Sequence, residues 1–377
     1  MKNVSNIKSC YGCGLCATVC SRNIIKIELN KDGFYVPQIT DIYKCTECGL
    51  CLNVCSYSHN ETAIKVDETK IHSWASWSKN SQIQRECSSG GTGYEIAKQL
   101  IEQGYKLCAC RYNADKQRAE HYIATTAHDA LQSMGSKYIQ SYTVDGIKAI
   151  NRKEKYVVTG TPCQIDSFRR YIQRFKIEDN FILIDFFCHC VPSMWAWNKY
   201  AEMVQKKVGK IKNATWRNKE TGWHDSWCMN IKGDKEYNSR LSQGDIFYHL
   251  FLGDYCLNPA CSKDCKFKYD KSSADIRIGD LWGKTYKDNN KGVTALVAFT
   301  DKGKNVVESL NEVTLVEHPF DVVAEGQMKD NAKIAPTYPI VMWFLRSNFT
   351  LDSFVWKAIH FTNKVVLKLK LIAKKFV

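Results

Sequence analysis

Apolar and polar positions near the start of the chain follow a pattern that predicts a β-hairpin. The apolar stretches Ile24-Ile25-Lys26-Ile27 and Phe34-Tyr35-Val36 lie on either side of the polar turn Asn30-Lys31-Asp32-Gly33. An Asp-Gly pair between two such stretches is a strong local signal for two antiparallel strands. Residues 59–72 are polar and contain no Gly or Pro, so they predict a linker between this first unit and the rest of the chain.

The pattern changes to strand, helix, strand from about residue 153. Residues 156–158 and the longer apolar run 181–188 predict two strands of a buried parallel sheet. Between them, apolar side chains recur at helical spacing: Ile165, Phe168, Ile172 and Phe175. Residues 160–164 are interpreted as the connecting loop. Because such a crossover is right-handed and leaves both strands parallel, Cys163 and Cys188 are expected at the same C-terminal edge, where α/β folds bind ligands.

Further apolar stretches predict the remaining strands of this core: Lys106 to Arg111, segments within 211–240, Val293 to Phe299 and Val313 to Val316. The end of the chain predicts a basic amphipathic helix over residues 355–377. Its apolar side holds Val365, Val366, Leu369, Ile372, Ala373 and Phe376, and its lysines Lys364, Lys368, Lys370, Lys374 and Lys375 lie mostly elsewhere. This pattern is typical of a helix on an anionic membrane surface. A helix packed on the protein's own core, with a lysine-rich solvent face, fits it as well.

Eight of the 18 cysteines form two runs with the spacing Cys-x2-Cys-x2-Cys-x3-Cys. The first run is Cys10, Cys13, Cys16 and Cys20, and the second is Cys45, Cys48, Cys51 and Cys55. Three cysteines of such a run wrap one cluster and the fourth ligates the other. We therefore expect one [4Fe–4S] cluster on Cys10, Cys13, Cys16 and Cys55, and a second on Cys45, Cys48, Cys51 and Cys20. Zinc is the alternative, but eight cysteines overfill a tetrahedral site.

The region with these two runs resembles a two-cluster bacterial ferredoxin. Ser21 and Ser56 stand where a proline usually follows the fourth cysteine, which affects the turn and removes no ligand. Thiolates available for iron imply a reducing compartment. Because the N-terminus has no apolar signal segment, we expect the cytoplasm, and peripheral contact with the inner face of the membrane if the last helix binds lipid.

Composition changes this picture little. A chain of 377 residues holds two or three domains and contains no apolar run long enough to span a membrane. The formal net charge of +14 suggests nucleic acid, but it counts cysteines as neutral. Since an oxidised cluster with four thiolates carries about −2, part of the excess balances cofactors. We therefore expect no nucleic-acid partner.

Several loops carry candidate cofactor chemistry. A Ser/Gly loop at residues 88–91 precedes a helical pattern, and such a loop presents backbone N–H groups to a phosphate or simply caps the helix. Together with five further motifs, it resembles the coenzyme F420-reducing hydrogenase/dehydrogenase beta-subunit family. The other motifs are Gly-Ser-Lys-Tyr at 135–138, Gly-Thr-Pro-Cys-Gln at 160–164, Phe-Cys at 187–188, the pair Cys261 and Cys265, and Ala-Asp-Ile…Gly-Asp-Leu-Trp-Gly at 274–283.

The resemblance implies FAD and a third [4Fe–4S] cluster in the core. The residues that it places at FAD are Ser88, Ser89, Gly90, Gly91, Ser136, Lys137, Gly160 and Thr161. Those that it places at the cluster are Cys163, Cys188, Cys261 and Cys265. Cys256, Cys261 and Cys265 are predicted to lie in a loop. The pair Cys261 and Cys265 is one residue wider than is usual, so Cys190 and Cys256 are reserve ligands. Buried cysteines that simply fill the core are the alternative.

The resulting fold prediction is an α+β ferredoxin-like 2[4Fe–4S] domain followed by an α/β flavin-binding core with a partly parallel sheet. The predicted divisions are residues 1–60, a linker at 61–73, two parts of the core at 74–150 and 151–325, and an extension at 326–377. We expect an iron–sulfur flavoprotein oxidoreductase that takes electrons from a low-potential donor such as ferredoxin. The motifs do not identify its two-electron small-molecule acceptor. The resemblance offers coenzyme F420 and surface-polysaccharide metabolism as candidates.

Two further interpretations stay open. An electron-transfer subunit that passes electrons to a separate catalytic partner fits the same motifs. His189 is a candidate proton donor near the proposed site, although a histidine held only by structural hydrogen bonds fits the sequence too. Lys137 and Asp280 are weaker candidates for catalysis.

Overall fold

The computed structural model describes residues 2–373, and it describes Lys364 and residues 366–373 by their backbone alone. The strands of the described chain are β1 Ile25–Leu29, β2 Tyr35–Ile39, β3 His72–Ser78, β4 Lys106–Asn113, β5 Arg118–Ala124, β6 Ser141–Tyr142, β7 Tyr156–Thr159, β8 Phe181–Phe186, β9 Asn213–Thr215, β10 Cys228–Lys232, β11 Glu236–Arg240, β12 Ile276–Asp280, β13 Thr294–Ala298 and β14 Val313–Glu317.

The helices are α1 Leu15–Val19, α2 Leu50–Asn53, α3 Ser81–Glu86, α4 Thr92–Glu102, α5 Ala127–Ala130, α6 Val144–Lys148, α7 Pro162–Phe175, α8 Met194–Val208, α9 Ile246–Leu252, α10 Pro259–Lys263, α11 Asp301–Glu308, α12 Phe320–Val323, α13 Tyr338–Arg346 and α14 Phe354–Ala373. Short 3-10 turns connect several of them.

The core is built on a nine-stranded sheet in the order β14-β3-β13-β12-β8-β7-β4-β5-β6. Its centre is parallel, since β12 pairs with β8, β8 with β7 and β7 with β4 in parallel register. Antiparallel pairs flank this centre on both sides. The partly parallel sheet is therefore confirmed. Because β4 and β7 pair directly, the two parts of the core on either side of residue 150 form one sheet.

Several loops of the core lie at the same edge of the main sheet. The parallel strands β7, β8 and β12 all end there, and β3 ends there too because both β3 and β12 are antiparallel to β13. The segment that precedes β6 reaches this edge as well, since β6 is parallel to β5 and β5 is antiparallel to β4. The loops 79–91, 133–140, 160–161 and 187–193 consequently gather at one side of the core.

Two predicted loops begin with helical turns. Cys163 lies in the first turn of α7, because Thr161 and Gln164 form a reciprocal cap around Pro162 at the first helical position. Cys261 lies in α10, where the Asn258 side chain accepts a hydrogen bond from the Ala260 N–H. Interpreting these segments as loops was wrong, since the capping signals are strong enough to start a helix.

The N-terminal unit contains the β1–β2 hairpin, which is confirmed, and the short helices α1 and α2. It docks tightly on the core. Gly14, at φ 77°, starts α1, and a Cβ at this position would lie 2.3 Å from Thr143 Oγ1. Gln140 accepts a hydrogen bond from the Tyr35 N–H and donates one to the Tyr11 carbonyl. Only glycine fits at position 14, because both the left-handed backbone and this close approach exclude a side chain.

The predicted linker at 61–73 overlaps the start of β3 at His72. Its first residues lie against α7, where the Ala63 N–H donates to Asp166 and the Arg170 side chain donates to the Glu61 carbonyl. This segment therefore fastens the N-terminal unit to the core.

Residues 194–257 form a smaller layer beside the main sheet. The three-stranded antiparallel sheet β11-β10-β9 packs with α8 and α9 around fully buried aromatic side chains, among them Trp197, Trp216 and Phe247. Trp216 and Trp223 are buried, as expected for tryptophans of a sheet region.

The C-terminal extension ends in α14, which confirms a helix from Phe354 to Ala373. Of the predicted apolar face, the structure describes the side chain of Val365 and not the others. Residues 374–377 lie outside the described chain. Among the described residues, no helix is long and apolar enough to cross a membrane.

Candidate functional site

The first set of cysteines lies between the N-terminal unit and the core. The thiols of Cys10, Cys13 and Cys55 are electrostatic neighbours, and the Cys16 thiol has all three as neighbours. Burial raises the pKa of Cys13 to about 11, and the nearby Cys55 contributes to the rise. Burial likewise raises the pKa of Cys10 and Cys16. Buried thiols crowded in this way form thiolates only beside a cation, and bound iron supplies one.

The second set lines one cavity at the surface of the N-terminal unit. Cys20, Cys45, Cys48 and Cys51 lie around this cavity together with Lys2 and Arg22. Cys48 is exposed, whereas Cys51 is buried and its pKa is raised by burial and by the thiols of Cys48 and Cys20. Cys20 therefore lies with the cysteines of the second run, and Cys55 lies with those of the first.

Within residues 2–373, no three His, Cys, Asp or Glu side chains converge closely enough to hold a single metal ion. A zinc site requires such convergence, because its ligands all lie about 2.0–2.3 Å from one point. The cysteine sets thus lack single-ion geometry. A four-cysteine set around a [4Fe–4S] cube needs no common point.

A third set of cysteines forms where the sheet edge meets α7 and α10. Cys163 has Cys261 and Cys188 as electrostatic neighbours, and Cys188 has Cys261 and Cys265. Burial raises the pKa of Cys188 to about 12, against the effect of the nearby Lys268. The four cysteines that sequence motifs placed far apart along the chain are consequently brought together.

The two reserve cysteines differ in position. The Cys190 thiol hydrogen-bonds to Cys261, and this bond is the largest of the causes that raise the Cys261 pKa. Cys256 points elsewhere, with its thiol 3.7 Å from the Leu250 carbonyl oxygen. The third set therefore holds five thiols, with Cys190 as the additional member, and Cys256 packs as a small buried side chain.

One helix connects the first and third sets. Cys163 lies in the first turn of α7, and Ser167 follows one turn later on the same face. The Ser167 hydroxyl lies 3.2 Å from Cys13 Sγ and accepts a hydrogen bond from the Ser56 N–H. Tyr11 lies beside them. Burial is the largest cause that raises its pKa, and the nearby thiols of Cys163, Cys265 and Cys261 raise it further. The two sets are thus adjacent across a packed interface.

Buried cations accompany the third set. Lys268 donates hydrogen bonds to the carbonyls of Cys188 and His189 at 2.7 and 2.6 Å. Lys268 and Arg277 both act to lower the pKa of Cys188 and Cys265. These positive charges favour thiolates and suit a site that carries net negative charge.

The loops predicted to contact FAD meet at the same sheet edge. The Ser136 N–H donates to the Ser88 hydroxyl at 2.8 Å, which joins the two Ser-bearing loops. The Gly90 N–H donates to Thr294 Oγ1, and Gly91 begins α4 in a left-handed conformation. Gly160 and Thr161 have other partners, because the Gly160 N–H donates to the Ile184 carbonyl and Thr161 caps α7.

Two lysines beside these loops have no carboxylate partner among the described residues. Lys137 donates to the carbonyls of Ser133, Met134 and Gly135. Lys219 donates to the carbonyls of Gln84, Ser89 and Lys291. Burial lowers the pKa of each lysine to about 8. The Asp280 carboxylate is near enough to Lys219 to raise its pKa, but the hydrogen bonds of both lysines go to carbonyl groups. A pair of desolvated ammonium groups of this kind fits a bound diphosphate.

His189 is held by two side chains. Its Nε2 lies 2.8 Å from Asp254 Oδ1, and its Nδ1 lies 2.9 Å from the Met328 sulfur. Phe251 packs edge-on against the ring. These contacts fit the structural interpretation of His189, whereas its role as a proton donor stays a prediction. Asp280, the other weak candidate, is paired with the fully buried Arg217 side chain at 2.8 Å.

Comparisons with known proteins agree with this arrangement. Residues 153–319 match the family model for the C-terminal part of the coenzyme F420 hydrogenase/dehydrogenase beta chain, and residues 9–59 match a 4Fe-4S dicluster domain. Residues 153–319 are therefore similar to the C-terminal domain of the coenzyme F420 hydrogenase/dehydrogenase beta-subunit family. A family relative named coenzyme F420 hydrogenase subunit beta, from Methanococcus voltae, is 29% identical over 122 residues, which are 27% of this chain and 44% of that protein. The chain thus spans less than half the length of this relative.

A solved structure is also similar. It is a chain of the F420-reducing [NiFe] hydrogenase complex from Methanosarcina barkeri, with a TM-score of 0.44 and 16% identity, over 73% of this chain and 87% of that one.

Sequence reasoning missed several residues of the site. Lys219 and Arg217 come from the segment around β9, far from the loops they contact, and no motif marks them. Tyr11 was missed as well, although its place between two cysteine ligands was a usable signal. Ser167 could not be found, because only the docking of the N-terminal unit brings it to Cys13.

The lysine pair leads to a test of whether these loops bind flavin, as the sequence predicts. Lys219→Gln is expected to weaken FAD binding about tenfold or more, because a charge-assisted interaction contributes about 1.5–3 kcal/mol. Since both lysines have a pKa of about 8, their positive charge is present below pH 8 and is lost above it. Fluorescence titration of flavin-free protein should therefore show weaker binding at pH 9.5 than at pH 7, with a smaller difference in the variant.

Lys210→Gln is the matched control, because this exposed lysine pairs only with Asp115 at the surface. Equal affinities and equal pH dependence for the Lys219 variant and the unmodified protein would contradict a role of Lys219 at the diphosphate.

Proposed function

We propose that this chain is an FAD-dependent iron–sulfur oxidoreductase that takes electrons from a low-potential protein donor and reduces a small two-electron acceptor. The observation that carries the proposal is the contact of the first and third cysteine sets across α7, with Cys163 on one side and the Ser167–Cys13 contact on the other. A packed interface of this kind fits a redox protein whose metal centres exchange electrons.

The proposal gives the second and first cysteine sets different roles, according to their positions in the structure. The second cysteine set lies at the surface, with Cys48 exposed and with Lys2 and Arg22 at its rim, so it suits contact with an acidic donor. The first set is covered by the core, and Thr143 and Asn258 donate hydrogen bonds to the carbonyls of Cys13 and Cys10. These bonds fix the cysteine loop in place, which keeps the distance between the sets constant.

The bound groups supply the electron chemistry: clusters exchange single electrons, and a flavin exchanges one or two. The chain contributes binding and orientation. The loops of Ser88 and Ser136 approach from two sides, and Lys137 and Lys219 place positive charge beside them. Lys268 holds the carbonyls of Cys188 and His189, and this bond orients the segment between the cysteine set and the sheet edge.

A second candidate function is supported by the comparisons. The matching relative is named as a subunit of a hydrogenase, so the chain is also a candidate electron-transfer subunit that serves a separate catalytic partner. In that case the redox groups are the same and the acceptor is a protein. Coenzyme F420 and activated or unsaturated sugars are the acceptors to test under the first candidate.

One anaerobic experiment tests both candidates. Reduced acidic ferredoxin is mixed with the protein in a stopped-flow instrument, and the bleaching of iron–sulfur and flavin absorbance is followed. Reduction is expected to slow with rising salt, and Arg22→Glu is expected to slow it about tenfold at low salt, because the basic rim attracts an acidic donor. Acceptors are then added to the reduced protein to find one that reoxidises it.

Lys206→Glu is the control, because it changes the same charge on the exposed side of α8. Reoxidation by a small molecule supports the enzyme. Reduction without reoxidation by any small acceptor, together with co-purification of a protein partner, favours the electron-transfer subunit. If reduced ferredoxin does not bleach the absorbance of the protein, the protein has neither of these functions.

A further inference from the structure

The C-terminal extension carries most of the large apolar side chains that stay exposed in the described part of the chain. They are Ile340, Trp343, Phe349, Phe354, Phe361 and Val365. Single exposed apolar side chains are ordinary, whereas a concentration in one segment marks an interaction surface. This surface belongs to α13, α14 and the connection between them. It is separate from the cysteine sets.

The described side chains of α14 form two apolar faces, one covered and one exposed. Trp356 and Ile359 are buried, and Trp356 packs on Phe344 of α13 with ring centroids 5.1 Å apart. Phe354 and Phe361 lie on another face, 82% and 69% exposed. They are two helical turns apart and therefore form one stripe along the helix. The inward face is enough to fix the helix on the protein, so the outward phenylalanines need another explanation.

The extension is fastened to the body of the protein. Lys199 of α8 donates hydrogen bonds to the carbonyls of Ser347 and Phe349. Arg346 forms an ion pair with Asp32 of the hairpin turn at 2.7 Å. The end of α13 and the connection that leads to α14 are thus held on the body of the protein.

The charge of this segment identifies the kind of partner. The chain contains no Asp or Glu after Asp352, whereas six lysines follow: Lys357, Lys364, Lys368, Lys370, Lys374 and Lys375. Lys357 is exposed and lies on α14 between the two exposed phenylalanines in sequence. Aromatic side chains combined with lysines and no acid are typical of helices that lie in the interface of an anionic bilayer. An acidic protein groove would match the charge, but bulky phenylalanines at such high exposure favour the lipid.

We propose that α13 and α14 dock this protein on an anionic lipid surface. Phe354 and Phe361 enter the headgroup region, and the exposed Lys357 interacts with the lipid phosphates. The helix lies along the surface, in agreement with the finding that no described helix is suited to cross a membrane. This lipid contact is independent of the redox function, because it uses none of the cysteine sets or flavin loops.

Flotation with vesicles tests the proposal. The cluster-loaded full chain should float with vesicles that contain anionic phosphatidylglycerol, and it should stay in the dense fraction with phosphatidylcholine alone or in high salt. The double variant Phe354→Ser/Phe361→Ser should lose about tenfold or more of the bound fraction, since both side chains supply apolar area to the interface. Lys357→Gln should lose about fivefold, because one lysine near an anionic surface contributes about 1 kcal/mol.

Tyr43→Ser is the matched control, because Tyr43 is an aromatic side chain that is 98% exposed on the N-terminal unit. Circular dichroism and iron content show whether each variant has folded as the unmodified protein does. Binding that does not depend on Phe354 and Phe361, or equal flotation with both lipids, overturns the proposal. So does light scattering in which the unmodified chain is a dimer and the double variant a monomer, since a second copy then covers the stripe.

Discussion

Cys163→Ala is expected to lower the iron content of anaerobically prepared protein from about twelve to about eight atoms per chain, the loss of one [4Fe–4S] cluster. Cys163 belongs to the third set, with Cys261 and Cys188 as neighbours. It sits in the first turn of α7, and this helix contains no second cysteine that could replace it. Iron analysis with electron paramagnetic resonance of the reduced protein measures the loss and shows that the other two clusters persist.

Cys256→Ala is the control for this change. Cys256 is as deeply buried as the members of the set, and its thiol faces the Leu250 carbonyl instead of another cysteine. This variant should keep all of its iron. A Cys163→Ala protein with a full complement of iron would exclude α7 from the cluster. The same analysis of Cys188→Ala and Cys190→Ala decides which of these two thiols is a ligand.

Asp185→Ala is expected to destabilise the folded protein by about 3–5 kcal/mol, because it leaves the buried Arg277 guanidinium without its partner. Both side chains of this pair are 0% exposed. Arg277 donates to both carboxylate oxygens at 2.7 and 2.6 Å, and Ser272 donates to one of them. The pair joins β8 to β12 and fixes the segment that follows Cys265.

Anaerobic thermal unfolding followed by circular dichroism measures this effect. The midpoint should fall by about 5 °C. Glu308→Ala is the comparison, since it removes a surface pair with Lys304 whose atoms lie 3.6 Å apart and whose contribution is at most about 0.5 kcal/mol. A midpoint for Asp185→Ala within a degree of that for Glu308→Ala would show that the buried pair contributes little.

Local spacing explains why part of the fold could be predicted. The hairpin of β1 and β2 follows from two short apolar stretches around an Asp-Gly turn, and both features lie within 15 residues of sequence. The parallel pairing of β7 and β8 follows from a crossover whose hand is fixed by chain stereochemistry. In contrast, the helical starts at Pro162 and Pro259 were missed, since a loop and a capped first turn share the same polar residues.

The candidate site was likewise predicted only in part. The grouping of Cys20 with the second run and Cys55 with the first was predicted, because the spacing within a run already determines which thiol points away. The choice between Cys190 and Cys256 was not, because it depends on how the segment after β8 packs against α10.

By itself, the sequence determined the two cysteine runs, the parallel centre of the sheet and the similarity of residues 153–319 to a known family domain, because each is written in residues that are close together or in motifs of fixed order. Only the tertiary structure decided that Ser167 meets Cys13, that Lys219 reaches Ser89 and that one face of α14 stays uncovered. These contacts join residues more than 100 positions apart, or depend on which helix face the body of the protein buries. Side-chain packing determines these contacts, and no local sequence pattern encodes them.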